Sequence, residues 1–126
     1  AEYAKVLSLR PNAALLQVDW AQAALADTPS PTELKEIIAV INRSLQRRPS
    51  ATGWLLLSQA YSLNRQPAYA DYAAAEHSLR IGEPQIAQRQ TTNALKNNPS
   101  AKLELKLNDL LRRIKNDYPE LNNRYK

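Results

Sequence analysis

Apolar residues recur along this chain at helical spacing, in blocks divided by prolines and polar capping residues. The clearest block is Leu34, Ile37, Ile38, Ile41 and Leu45, spaced i, i+3, i+4, i+7, i+11, which is one stripe of an amphipathic helix. Ser30, Pro31 and Glu33 ahead of it form a capping-box pattern, and Arg47 and Arg48 close it where the helix dipole favours cations, before Pro49. Upstream, Asn12 caps a helix running to about Ala26, with Leu15, Leu16, Trp20, Ala23 and Ala24 as its packing residues, and Thr28 to Pro31 is a turn. Ser50 starts a helix containing Trp54, and the stretch from Asn64 to Pro67 breaks it. A Tyr- and Ala-rich helix follows over about 68–81, Gly82 turns the chain, and Pro84 opens another helix. The last runs from Ser100 to about Asp117, with Leu103, Leu107, Leu110, Leu111 and Ile114 on one face and charges on the other. Residues 1–10 read as the closing turns of an earlier helix ending at Arg10-Pro11, so about seven helices are expected and no strand.

Within these helices lies a code of small and large residues. Trp54, Leu57, Ser58 and Tyr61 fit W-x2-L-[GS]-x2-Y, and Ala87, Ala94, Leu95 and Pro99, after Gly82, fit A-x6-A-L-x3-P. This is the tetratricopeptide (TPR) pattern of roughly 34 residues. Small residues let two helix axes approach closely, and the large ones fill the gaps around them. The expected fold is therefore an all-α, TPR-like α-solenoid of antiparallel helices with a C-terminal capping helix, polar on its outer side. The register is irregular: counting from Trp54 makes the helix at 68–81 the second of a pair, whereas counting back from Pro99 makes it the first. The second register is preferred, because Gly82, Ala87, Ala94, Leu95 and Pro99 all fall in place, and it leaves the Trp54 helix inserted between two repeats.

A length of 126 residues suits a single domain, able to bury about two thirds of its unfolded surface without covalent help. The chain begins without methionine and partway through a helix, as expected of a fragment of a longer protein, and 118–126, with Tyr118-Pro119 and Asn122-Asn123, reads as a fraying tail. The absence of cysteine excludes a disulfide, a thiolate nucleophile and a zinc–thiolate site, and leaves the redox compartment open. No apolar run approaches the roughly 20 residues that span a bilayer, and no signal-peptide pattern is present.

Catalysis finds little support. His77 is the single histidine, without the H-E-x-x-H partner of a zinc helix, and reads as structural or solvent-facing. There is no G-x-S-x-G, no phosphate loop and no paired acid cluster, so no catalytic, cofactor or metal residue is assigned. The net charge of +5 admits an acidic partner. Yet Arg112, Arg113 and Lys115 alternate with Asp109, Asp117 and Glu120, and Lys102 and Lys106 flank Glu104, which favours mixed-sign solvated faces over a nucleic-acid stripe. A row of Tyr69, Tyr72, Glu76, Leu79 and Arg80 lies along one side of its helix and would line a protein-binding concave groove in the preferred register. Packing of Tyr69 and Tyr72 against the preceding helix is an equal alternative.

From Asn12 to Asp117 the sequence resembles the C-terminal TPR region of bacterial M48-family zinc metalloproteases of the beta-barrel assembly-enhancing type. The matching residues are Gly53-Trp54-x-Leu56-Leu57-x-Gln59-Ala60, Ala74-x-Glu76 with Leu79 and Gly82, Gln85-x-Ala87, and Leu107-x3-Leu111 ahead of a charged end. The resemblance implies a periplasmic setting, an upstream peptidase domain that carries the zinc, and a non-catalytic region that packs against that domain and recruits substrates or outer-membrane barrel-assembly components. A free-standing TPR adaptor that binds a peptide or helix in its groove is the alternative expectation, and a basic nucleic-acid-binding helical domain ranks third.

Overall fold

The computed structural model describes residues 13–123. Six helices follow one another: α1 (Ala13–Ala26), α2 (Pro31–Arg47), α3 (Ala51–Leu63), α4 (Pro67–Arg80), α5 (Pro84–Lys96) and α6 (Ala101–Asp117). A single turn, α7 (Glu120–Asn123), ends the described chain. The regular structure of the described residues is all-helical, and connections of three or four residues fold each of the six helices back against the one before it. The seventh helix expected at 1–10 and the Asn12 cap lie outside the described residues.

Local chemistry fixes the helix ends. Ser30 accepts from the Glu33 backbone N–H at 3.2 Å while the Ser30 N–H donates to the Glu33 carboxylate at 3.0 Å, completing the capping box. Hydrogen bonding to the carboxylate by the Ser30 backbone N–H, and then by the Ser30 side chain, lowers the Glu33 carboxyl from its ordinary value. Ser50 and Ser100 cap α3 and α6 in the same manner, accepting from Gly53 and Leu103. Helices α3 and α4 end in one motif. Gln66 N–H donates to Tyr61 C=O and Arg65 N–H to Ser62 C=O; Glu83 N–H donates to Ser78 C=O and Gly82 N–H to Leu79 C=O. The residue at the bend is left-handed in both, Arg65 at φ 59° and Gly82 at φ 80°, and a proline then opens the next helix.

Three contiguous cores run along the array. The first joins Val18 and Ala21 of α1, Ile37, Ile41 and Leu45 of α2, Leu56, Leu57 and Ala60 of α3, and Ala73 of α4, with Trp54 and Tyr61 packed at its side. The second joins Ala75, Ala87, Leu110, Ile114 and Leu121. The third joins Ala68, Ala94, Leu103 and Leu107, with Tyr69, Tyr72 and Leu95 against it. Small residues mark the closest approaches. A Cβ on Gly53 would lie 2.8 Å from Leu45 Cδ2 and 2.9 Å from Ser50 Oγ, so α2 and α3 approach closely here and a larger residue would displace those side chains. Ala87 and Ala94 are fully buried, whereas Pro99 and Leu95 are half-buried and Gly82 is an exposed turn residue.

Two expectations need correction. Helix α1 buries Ala13, Ala14, Gln17, Val18 and Ala21, while Leu15 is 51% exposed and Ala23 is exposed. Its apolar residues surround the helix, so periodicity could not phase it. Residues 118–121, expected within a fraying tail, pack against α6 instead. Leu121 is buried against Leu110 and Ile114, and Tyr118 packs beside them. Hydrophobic contact with α6 holds this turn through Leu121.

The choice between two registers for α4 is not forced by its packing. On one side Ser58 of α3 donates to Ala70 C=O at 3.0 Å, and the Trp54 ring stands edge-on to Tyr72. On the other, Ala75 meets Ala87 in the second core and Ser78 donates to Gln90 Oε1 at 2.7 Å.

Candidate interaction surface

Two surfaces bear on what the chain contacts: the tyrosine row of α4, and a groove between α1 and α3. The row is brought together, but beneath α6. Tyr72 and Leu79 pack against the core of Leu110, Ile114 and Leu121, and Tyr69 and Tyr72 pack against that of Leu103 and Leu107. The Tyr69 ring also leans on Tyr61, centroids 5.1 Å apart, and its hydroxyl lies 3.4 Å from Ser100 Oγ. Glu76 is 8% exposed and accepts from Arg113 of α6 at 3.0 Å, while Arg113 and Arg112 also reach Asp109. Arg80 is the one member of the row that is exposed. The side of α4 expected to be an open groove is thus covered by α6, whose leucines need that apolar cover.

Burial, and then the nearby Glu76 carboxylate, pushes the Tyr72 hydroxyl up to about 12. A group whose folded pKa is raised contributes stability that is present below its unfolded value of about 10 and is lost as pH climbs through the folded one. Stability should therefore fall between about pH 10 and pH 12. Tyr72→Phe should flatten that fall, measured by urea denaturation across the window, leaving the smaller share of Tyr61, which burial also raises. An unchanged slope in the variant would show that Tyr72 is not the group that ionises.

His77 is placed by structure as well: its Nδ1 lies 3.0 Å from the Ala51 carbonyl, which can only accept, so the proton sits on Nδ1. The bond ties the last turns of α4 to the first turn of α3. Among the described residues no helix is long and apolar enough to cross a membrane.

The open surface lies elsewhere, between α1 and α3. Gln22 and Leu25 form one wall, and Thr52, Leu55, Gln59 and Leu63 the other. Leu55 is 40% and Leu63 55% exposed, large apolar side chains left facing solvent. Their position follows from the helix. Leu55, Leu56 and Leu57 are consecutive, each turned about 100° from the last, and one core-facing stripe cannot take all three. Leu56 and Leu57 go inward and Leu55 outward. That triplet is the sequence signal for the groove, which residue-by-residue motif matching passed over.

Comparison of the chain with family models, curated proteins and solved structures finds no match.

Proposed function

We propose that the chain is a non-catalytic protein–protein interaction module of the tetratricopeptide type, acting in the periplasm as a region of an M48-type zinc metalloprotease. In this reading it packs against the peptidase domain and recruits substrates or outer-membrane barrel-assembly components, while the zinc belongs to that domain and not to these residues. The observation that carries the binding role is the open α1–α3 groove with Leu55 and Leu63 exposed in it. Consecutive helices stacked through Gly53, Ser58, Ala75 and Ala87 support the solenoid arrangement, since a stack of helix pairs turns one helix of each pair toward a continuous face. The link to the M48 protease rests on the residue matches from Gly53 to Leu111.

Photocrosslinking tests it. A benzoylphenylalanine placed at Leu63, in the groove, should give adducts in bacterial envelopes with an M48 peptidase domain or barrel-assembly components. The same residue placed at Leu105, 74% exposed on α6, should not. No such adduct from position 63, or identical adducts from both positions, would overturn the proposal.

A further inference from the structure

We infer that the α1–α3 groove takes an uncharged, extended stretch from the interior of a partner polypeptide, rather than a charged chain terminus or a helix. This rests on the interaction-module reading and names the ligand chemistry of the same groove.

The first argument is charge. The chain carries a net charge of +5, yet none of the described residues lining this groove is charged. A free C-terminal carboxylate or an acidic motif needs an Arg or Lys to repay its lost hydration, and a lysine-rich motif needs a carboxylate. The groove offers neither, so a charged occupant would be disfavoured by desolvation.

The second argument is hydrogen bonding. Beside the leucines the groove is lined by Gln22, Gln59 and Thr52, all exposed, whose amides and hydroxyl both donate and accept. A bound helix has its backbone groups satisfied internally and would set only side chains against them. An extended chain has one free N–H and one free C=O per residue, and these are the groups that a neutral amide pairs with in both directions.

Spacing supplies the third argument. Leu55 and Leu63 are eight residues apart on α3, a rise of about 12 Å. An extended chain advances about 3.3 Å per residue and repeats a side every second residue, so its residues i and i+4 stand about 13 Å apart. Apolar side chains at i, i+2 and i+4 therefore meet the groove from one leucine to the other, with i+1 and i+3 facing solvent.

The test is selection from two libraries of random decapeptides on phage, one displayed with flanking sequence at both ends and one with a free C-terminus. The bait is the whole chain, beside Leu55→Asp and Gln59→Ala, each checked by circular dichroism and denaturation to be folded as the parent. The flanked library should enrich uncharged peptides with apolar residues at every second position. Their binding should weaken by about tenfold or more in Leu55→Asp and several-fold in Gln59→Ala. It should not change between about 50 mM and about 500 mM NaCl. Enrichment confined to the free-C-terminus library, a fixed charged residue, or apolar residues at i, i+3, i+4 and i+7 would overturn this inference and leave the interaction module standing. Failure of any peptide to distinguish the parent from Leu55→Asp would remove the groove as a binding site, and both readings with it.

Discussion

Trp54→Ala is expected to lower the unfolding free energy by about 3 kcal/mol, the lower end of the range for deleting a buried aromatic, because the indole is half-buried. The ring packs beside the first core and stands edge-on to Tyr72 at a centroid distance of 5.8 Å, so alanine empties space between α3, α4 and that core. Its Nε1 behaves differently from the ring. It is buried with no acceptor among the described residues, which makes the N–H a cost in the folded state. Trp54→Phe keeps an aromatic edge against Tyr72 and discards that unpaired donor, and should cost less than about 1.5 kcal/mol. Urea denaturation followed by circular dichroism reads both values without relying on tryptophan emission. A loss below about 1 kcal/mol for Trp54→Ala would place the ring outside the core.

The second large effect is expected on α6. Leu107→Ala should cost about 3 kcal/mol, since Leu107 is fully buried with Leu103 against Ala68 and Ala94, and small neighbours of that kind cannot move in to refill a cavity. Leu105→Ala, two residues away on the same helix and 74% exposed, should change stability by no more than about 0.5 kcal/mol. The contrast between the two, measured by the same denaturation, distinguishes a helix integral to the fold from a detachable tail. Equal, small effects would mean that α6 contributes little.

Helix boundaries were largely legible because serine caps and prolines act locally. Ser30, Ser50 and Ser100, with Pro31, Pro67 and Pro84, bracket helices whatever packs on them. Faces were legible only where a polar side opposes an apolar one. Leu34, Ile37, Ile41 and Leu45 of α2 are buried as their spacing required, while α1, apolar all round, could not be phased. Arg65 shows a second limit: the same left-handed bend that Gly82 announces is made there by a residue that carries no such signal. For the candidate surfaces the missing information was tertiary. The spacing of Tyr69, Tyr72, Glu76 and Leu79 puts them on one side of α4, but whether that side is open depends on where α6 lies. Leu121 was missed for the same reason, since its partners are Leu110 and Ile114 rather than its sequence neighbours.

Helix α4 alone places buried residues in all three cores among the described residues, with Ala73 in the first, Ala75 in the second and Ala68 in the third. The two halves of the array are therefore not independent foldons joined by a linker. Opening α1–α3 strips Ala73, and opening α5–α6 strips Ala68 and Ala75, so either event loosens the helix on which the other half closes. Cooperativity passes through the alanines of α4, and opening at either end should raise the rate at which its amides exchange with solvent.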